Sequence, residues 1–381
     1  MHICYLQKYI IFVGTRILKF ITIMKDNYCV IMGGGIGSRF WPSSRESMPK
    51  QFLDFFGTGR SLLQQTFDRF NQLIPTENIY IATNEKYADL VKKQLPEISD
   101  NQILLEPTRR NTAPCIAYAA YRIRSINPKA NIVVTPSDHL ITAENKFLKN
   151  IEDGLDFVRE YPALLTIGIK PSRPEIGYGY IQSEGNVQNN IQKVKAFTEK
   201  PNLELAKVFF ESGEFFWNSG IFIWNAQTIL DAFYKYLPDI TTRFDQGLDK
   251  FNTDQEKAFI ETEYPICQNV SIDYGIMEKA DNVYFLTASF NWSDLGTWGA
   301  LYDISDKDEA KNATLKCDAL YYESKDNMVT LPEGKLAVIQ GLEDCIVAES
   351  DNVLLICKKS EEQRIKQFVA DAGLQFGQNF I

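Results

Sequence analysis

A regular alternation of apolar runs and amphipathic stretches constrains the fold of this chain more than any other feature of its sequence. The apolar runs lie at residues 28–32, 78–83, 102–106, 131–136 and 163–169, and the helical patterns lie between them at residues 61–70, 85–95, 112–125 and 144–161. Apolar runs of this length are typical of strands that are covered on both faces. Strands that alternate with helices at this spacing predict an α/β domain with a Rossmann-like, mixed and mostly parallel sheet.

The pattern changes along the rest of the chain. Strands are predicted at residues 177–183, 194–200, 216–225 and 282–288, and helices at residues 202–212, 226–263 and 270–280. Residues 306–316 are polar and lack periodicity, so we place a domain boundary after residue 305. Short β-type runs follow, and then a helix from Ser360 to about residue 372. We therefore predict a main domain at residues 24–305 and a small β-rich C-terminal module at residues 306–381.

The segment before Met24 belongs neither to the predicted main domain nor to the predicted C-terminal module. It is apolar but interrupted by Lys8, Arg16 and Lys19, and its longest uncharged run is too short to span a bilayer. Met24 itself stands a few residues before the first predicted strand. We therefore expect translation to start at Met24 and residues 1–23 to be absent from the native protein, and we expect no association with membranes.

Composition narrows the classes of partner and cofactor. The formal net charge of −9 argues against a general nucleic-acid binder, because such proteins carry basic faces. Two histidines in the whole chain exclude a histidine-rich metal site, so a metal would depend on carboxylates and phosphate, which suits Mg²⁺. The seven cysteines include no CxxC pair and predict reduced thiols in a cytoplasmic protein. We also expect a homo-oligomer, namely a dimer.

A glycine-rich loop, GGGIGSRFWPSSRESMPK, follows the first predicted strand and carries three cations and one acid. A dinucleotide fingerprint would need a third glycine where Phe40 stands, and Pro42 and Pro49 prevent an immediate helix. No register supplies the GK[ST] of a Walker A loop. A purely structural turn stays open. An extended loop around a triphosphate fits every feature, since backbone N–H groups approach phosphate closely and the cations neutralise it.

The motif GGxGxRxWPxSRxxxPKQF, present at residues 34–52, resembles the signature of sugar-nucleotide pyrophosphorylases, specifically the mannose-1-phosphate guanylyltransferases. Further blocks resemble that family in the same order: EPTRRNTAPC (106–115), PSDHLI (136–141), GYGYI (177–181), FTEKP (197–201), WNSGIF (217–222), SIDYGIMEK (271–279) and WSDLGTW (292–298). The resemblance covers roughly residues 28–358 and implies the fold of nucleotide-diphospho-sugar transferases. Many bacterial relatives continue into a phosphomannose isomerase domain, and we expect only the transferase here.

The resemblance implies a reaction and a set of site residues. GTP and mannose 1-phosphate would give GDP-mannose and pyrophosphate, with Mg²⁺ as cofactor. The predicted catalytic residues are Arg39 and Lys50, and the predicted metal ligands are Asp138 and Asp294. The predicted nucleotide-binding residues are Gly34, Gly35, Gly37, Ser38, Arg45, Glu106, Asn111 and Thr112. The predicted sugar-phosphate-binding residues are Gly179, Glu199, Lys200 and Asn218.

Several of these residues have an ordinary structural interpretation that the sequence leaves open. Asp138, Asp294 and Thr112 could each cap a helix. Glu199 and Lys200 could form an exposed pair, Asn218 could bond backbone, and Gly179 could mark a β-bulge. The choice of guanine rests on the resemblance, so a related enzyme with another base or sugar stays open. A non-catalytic regulatory homologue also stays open, although the charged residues of the site argue against it.

Overall fold

The computed structural model describes residues 25–35 and 37–381, so the predicted extension at residues 1–23 lies outside the described residues. The described chain divides into two compact units. Among the described residues, the first unit comprises residues 25–32, 67–136 and 142–291, and the second comprises residues 33–35, 37–66, 137–141 and 292–381. Each unit therefore draws on segments that are far apart in the sequence.

Eleven strands precede residue 294 in the described chain. They are β1 (Asn27–Met32), β2 (Ile79–Asn84), β3 (Ile103–Glu106), β4 (Asn131–Pro136), β5 (Leu140–Thr142), β6 (Leu164–Ile169), β7 (Tyr180–Gln188), β8 (Ile191–Thr198), β9 (Phe215–Asn225), β10 (Val283–Thr287) and β11 (Asn291–Ser293). Nine of them form one sheet in the order β3-β2-β1-β4-β9-β6-β10-β8-β7, and β5 pairs with β11 separately. The sheet is the centre of the first unit.

The large sheet is mixed, as the sequence predicts. Strands β3, β2, β1 and β4 pair in parallel, because helical connections return the chain to the same edge. Strand β9 lies between β4 and β6 and runs antiparallel to both, which makes antiparallel pairing more extensive than the predicted mostly parallel sheet. Strands β7 and β8 form a hairpin, and Asn189 and Asn190 at its turn have φ values of 44° and 65°. Asparagine tolerates this left-handed conformation better than most residues.

Eight α-helices precede residue 264 in the described chain. They are α1 (Leu62–Asn71), α2 (Ala88–Gln94), α3 (Thr112–Ile126), α4 (Glu144–Glu160), α5 (Leu203–Ser212), α6 (Ala226–Tyr236), α7 (Pro238–Phe244) and α8 (Glu256–Glu263). The predicted long helix at residues 226–263 is thus divided into shorter ones, because Pro238 lacks the N–H that would continue the first of them. Helices α3 and α6 pack on the sheet through fully buried apolar residues such as Ile116, Ile229 and Phe233. No helix in the described parts of the chain is both long and apolar enough to traverse a bilayer.

The second unit contains the predicted β-rich module. Its elements after residue 297 are α9 (Trp298–Ile304), β12 (Ala313–Leu315), β13 (Asp318–Tyr322), β14 (Met328–Thr330), β15 (Leu336–Gln340), β16 (Cys345–Ser350), β17 (Val353–Lys358) and α10 (Ile365–Phe376). Successive strands alternate between two sheets, since β12, β14 and β16 pair in parallel while β13 pairs in parallel with β15. This alternation is the pattern of a short β-helix.

The core of the second unit joins the module to the glycine-rich loop. Phe40 and Trp41 from the loop lie in one apolar cluster with Leu295, Met328 and Ile365. The compact unit is therefore larger than the predicted module at residues 306–381. The predicted boundary after residue 305 stays a prediction about which segments fold on their own.

Candidate active site

A cleft of about 320 Å³ in the second unit brings together charged residues from four segments of the chain. We call it the Lys50 cleft, and its lining residues are Gly37, Ser38, Arg39, Phe40, Lys50, Asp138, His139, Asp294, Leu295, Gly296 and Lys366. Both predicted catalytic residues and both predicted metal ligands are in this set. Two predicted nucleotide-binding residues, Gly37 and Ser38, line it as well.

Lys50 is the centre of the cleft. Its side chain is buried, with 5% of its surface exposed, and its Nζ lies 3.0 Å from Asp138 Oδ2. The same ammonium donates to the backbone oxygen of Asp294 at 2.6 Å. Burial acts to raise the pKa of Asp138, but the charges of Lys50 and His139, together with the hydrogen bonds that the carboxylate accepts, outweigh burial and hold that pKa below its ordinary value. Asp138 is therefore ionised and faces the cleft at neutral pH.

Asp294 lies in a strained turn, and it lines the Lys50 cleft. Its Oδ1 accepts a hydrogen bond from the backbone N–H of Gly296 at 3.0 Å. Between them, buried Leu295 has a φ of +46°, which costs a non-glycine residue about 1–2 kcal/mol. Backbone strain of this kind concentrates at functional sites. Neither Asp294 nor Asp138 caps a helix, because Thr297 caps α9 and a short strand follows Asp138.

Arg39 and Arg45 have different surroundings although both belong to the glycine-rich loop. Arg39 lines the cleft, where its Nη1 donates to Gly296 O at 3.4 Å and its buried Nε has no hydrogen-bond partner among the described atoms. Arg45 is absent from the cleft lining, and its guanidinium donates to Pro42 O, Ser350 O and Asn352 Oδ1 at 2.9–3.2 Å. This geometry favours a structural role for Arg45 over the predicted contact with the nucleotide.

Gly37 shows why the loop needs a glycine next to Lys50. Its φ is +67°, and a Cβ built there would lie 2.4 Å from Lys50 Cβ. A Cβ cannot rotate away, so a side chain at residue 37 would displace the Lys50 backbone. Gly35 is exposed, and a Cβ built there would meet no atom within 4 Å. Gly34 and Gly35 do not appear in the cleft lining, and their predicted role in nucleotide binding stays a prediction.

We expect Gly37→Ala to lower the free energy of unfolding by more than about 2 kcal/mol, since strain from the positive φ adds to the overlap with Lys50. Urea denaturation measures this change. Gly35→Ala is the matched control in the same loop and should alter stability by less than about 0.5 kcal/mol. Equal stability of the two variants would show that Gly37 is not constrained by Lys50.

The predicted sugar-phosphate residues lie together in the first unit. Asn218 donates its backbone N–H to Gly179 O at 2.8 Å, and its side-chain Oδ1 accepts from Thr166 Oγ1 at 2.8 Å. A Cβ at Gly179 would lie 2.5 Å from Glu199 Oε2, so glycine makes room for that carboxylate. Glu199 in turn forms an ion pair with Lys200. Burial acts to lower the pKa of Lys200, but this pair outweighs it and the pKa is raised.

Asp273 belongs to the same group of residues, although the sequence analysis assigns it no role. It lies at the start of a π-helical turn, Asp273–Met277, within the helix predicted at residues 270–280, and such turns often occur at functional sites. Its Oδ1 accepts from Asn218 Nδ2 at 2.9 Å. Burial raises the pKa of Asp273 from 3.8 to about 7, and the Glu199 charge adds to the shift. The sequence feature that could have identified this residue is the block SIDYGIMEK, which contains Asp273.

The raised pKa of Asp273 gives stability a predicted pH dependence. The folded protein holds this proton up to about pH 7, while the unfolded chain releases it near pH 4. Between these values ionisation therefore favours the unfolded state, and the free energy of unfolding falls as pH rises. Asp273→Asn removes that cost and keeps an acceptor for Asn218. We expect its free energy of unfolding to exceed that of the unaltered chain at pH 8 and to approach it at pH 5. A pH-independent difference in urea titrations would contradict the assignment.

The predicted base-binding residues form another group in the first unit. Glu106 is buried at the end of β3, and its Oε1 accepts from the Tyr264 hydroxyl. Burial raises its pKa, although bonds from Tyr264 and Cys115 act to lower it. Asn111 caps α3 with a φ of 65°, and Thr112 Oγ1 instead accepts from Ile272 N at 2.8 Å. Thr112 is therefore not the helix cap, and roles of these residues toward a base stay predictions.

Two ionisable residues that were not predicted as site residues, His139 and Lys366, also line the Lys50 cleft. Trp292 Nε1 donates to His139 Nδ1 at 3.1 Å, which places the proton of a neutral His139 on Nε2. Lys366 comes from α10 of the C-terminal module.

A larger cavity of about 700 Å³ lies in the first unit around the buried Arg122–Glu256 pair. It contains none of the predicted site residues, so the smaller cleft is the better candidate.

Comparisons with known proteins indicate the family to which the chain is similar. The chain matches the model of the nucleotidyl transferase family over residues 28–311. The mannose-1-phosphate guanylyltransferase of Salmonella montevideo is 37% identical over 355 residues, which cover 91% of this chain and 74% of the relative. A mannose-1-phosphate guanylyltransferase of Escherichia coli is 34% identical over 352 residues, covering 89% and 74%. The crystal structure of a protein named mannose-1-phosphate geranyltransferase, from Thermus thermophilus, has a TM-score of 0.82 at 27% identity and covers 91% of this chain and 99% of its own. The resemblance inferred from the motifs is confirmed.

Proposed function

Since the chain belongs to the nucleotidyl transferase family, we propose that it transfers GMP from GTP to mannose 1-phosphate, giving GDP-mannose and pyrophosphate. The observation that carries the chemistry is the Lys50 cleft, where a buried ammonium, an arginine and two carboxylates line one cavity. Substrates of this class bring several negative charges together, and such a cleft can offset them. The choice of guanine and mannose follows the curated relatives.

The reaction needs no general base from the protein. A phosphate oxygen of mannose 1-phosphate attacks the α-phosphorus of GTP, and the bond to the departing pyrophosphate breaks in line with the attack. A sugar phosphate has its second pKa at about 6 and is mostly dianionic at neutral pH, so the nucleophile arrives without its proton. The protein must then position the phosphates and neutralise charge. We assign these tasks to Lys50 and Arg39.

Nucleotidyl transfer generally uses a divalent cation, and the residues of the cleft fit one. Asp138 and Asp294 both line the cleft and supply carboxylate oxygens. No three His, Cys, Asp or Glu side chains of the described residues cluster as a ready-made site, so the remaining ligands would be water and substrate phosphate. This is the usual composition of Mg²⁺ sites. We propose that these two aspartates hold Mg²⁺, which when bound there would neutralise and orient phosphate oxygens.

The residues of the first unit are assigned to the other parts of the substrates. The raised pKa of Asp273 and the pair of Glu199 with Lys200 make that group a candidate for sugar hydroxyls and for the sugar phosphate. Glu106 at the end of β3 is the candidate acceptor for guanine, with Asn111 and Thr112 at the adjoining start of α3. Homodimer formation and a cytoplasmic location stay predictions.

Pyrophosphate release tests the proposal. The purified chain is mixed with Mg²⁺ and mannose 1-phosphate, and GTP, ATP, UTP, CTP or dTTP is added in separate reactions. We expect release with GTP and none without the sugar phosphate. Release with another nucleotide would replace the assigned base while keeping the reaction class. Release only with another sugar 1-phosphate, such as glucose 1-phosphate, would replace the assigned sugar. No release with any pair would contradict the transferase activity.

A further inference from the structure

We propose that Lys366, on helix α10 of the C-terminal module, binds the phosphate chain of the nucleotide and of pyrophosphate. The inference rests on the proposed function, because it assigns a further residue to the same cleft. Lys366 is one of three cationic side chains that line the cleft, with Arg39 and Lys50. The other two come from the glycine-rich loop, whereas Lys366 lies near the other end of the chain.

The position of Lys366 is set by buried and hydrogen-bonded neighbours. Ile365 is fully buried in the cluster that also contains Phe40 and Leu295, and these residues flank Arg39 and Asp294 in the sequence. Three residues before Ile365, the side chain of Glu362 accepts from the backbone N–H of Gly299 at 2.7 Å. The start of α10 is therefore fixed beside the two segments that supply Arg39 and Asp294.

The end of the helical segment is tied to the glycine-rich loop as well. Trp41 Nε1 donates to Phe380 O at 2.7 Å, and Arg45 Nη1 donates to Asn379 O at 3.2 Å. These two bonds join the loop to the residues that follow α10. The structural role of Arg45 thus has a consequence for the cleft, because it helps to hold the helix that carries Lys366.

Charge distinguishes Lys366 from Lys50. The Lys50 ammonium is already paired with Asp138, whereas no acceptor among the described residues engages the exposed ammonium of Lys366. Among the protein groups that line the cleft, the three cations exceed the two carboxylates by one charge, and without Lys366 the two signs would be equal before a metal ion binds. Phosphate ligands need an excess of positive charge. A lysine suits this task, because its three donors on a flexible stem can follow a phosphate chain that changes during the reaction.

Binding of inorganic pyrophosphate with Mg²⁺, measured by calorimetry on the full chain, tests the inference. We expect Lys366→Ala to weaken pyrophosphate binding by about tenfold, the usual effect of losing one charged hydrogen bond. Lys366→Arg should retain most of the affinity, because it keeps the charge. Arg364→Gln is the matched control, since Arg364 lies two residues away with 57% of its side chain exposed and does not line the cleft.

Kinetics supplies a second readout that a merely structural role would not reproduce. Lys366→Ala should raise KM for GTP by about tenfold and leave KM for mannose 1-phosphate unchanged, because the sugar phosphate is assigned to other residues. Unchanged pyrophosphate affinity in Lys366→Ala would overturn the inference. An equal loss in Arg364→Gln would also overturn it, because the effect would then come from the net charge of the helix.

The calorimetric test separates this inference from the proposed function. Pyrophosphate is a product for every nucleotide that the chain could use, so its binding does not depend on guanine or mannose. Weakened binding in Lys366→Ala, together with no turnover of GTP and mannose 1-phosphate, would support Lys366 while rejecting the assigned substrates. Failure of the unaltered chain to bind pyrophosphate at millimolar concentration would overturn the assignment of Lys366 itself.

Discussion

Replacing Asp294 by alanine is expected to lower turnover by about 10³-fold while leaving the fold intact, because the carboxylate serves a site and not the core. The side chain lines the Lys50 cleft, and its Oδ1 accepts a hydrogen bond from the N–H of Gly296 at 3.0 Å. Loss of that hydrogen bond costs about 1 kcal/mol of stability. Most of the effect therefore falls on catalysis.

Two further variants make the Asp294 test specific. Asp294→Asn keeps an oxygen for Gly296 N–H but removes the charge, so it should be as stable as the unaltered chain and nearly as inactive as the alanine variant. Asp303→Ala removes an exposed carboxylate from α9 in the same unit and should change neither property. Pyrophosphate release and thermal unfolding measure the two effects. Near-normal turnover of Asp294→Asn with intact dependence on Mg²⁺ would reject the metal assignment.

Replacing Lys50 by methionine is expected to lower turnover by at least about 10²-fold and also to destabilise the protein. Methionine preserves most of the length of the side chain, so the change removes the charge without opening a large cavity. Asp138 then lacks the ammonium that now lies 3.0 Å from its Oδ2. An unpaired carboxylate that is largely removed from water destabilises the fold. We expect a loss of about 2 kcal/mol, less than for a fully enclosed pair because Asp138 keeps 31% of its side chain exposed.

A double variant separates the two consequences of losing Lys50. Adding Asp138→Asn to Lys50→Met removes the unpaired charge, so the free energy of unfolding should recover by about 1 kcal/mol or more. Turnover should stay low, because the double variant lacks both the cation and a proposed metal ligand. Urea denaturation without divalent cations and the pyrophosphate assay measure these outcomes. Recovery of activity in the double variant would show that Lys50 acts only by offsetting the charge of Asp138, and it would reject Asp138 as a metal ligand.

The agreement between sequence and structure differs from one group of residues to another. The pairing of Lys50 with Asp138 joins two residues that were predicted separately, since the glycine-rich loop and the end of β4 each carry a local signal. Arg45 carried the same local signal as Arg39, yet its guanidinium bonds Ser350 and Asn352. A cation in a short loop can point to either side, and only its distant partners decide which.

The sequence by itself determined the nine strands of the large sheet, the glycine-rich loop and the reaction class, because these depend on local periodicity, on the φ freedom of glycine and on motifs of fixed spacing. Only the tertiary structure decided which charges meet. Asp273 acquires its raised pKa from burial and from Glu199, and Lys366 enters the cleft because Ile365 packs beside Phe40. Burial and electrostatic contact depend on distance in space, and segments hundreds of residues apart come within a few ångströms only after the core has formed.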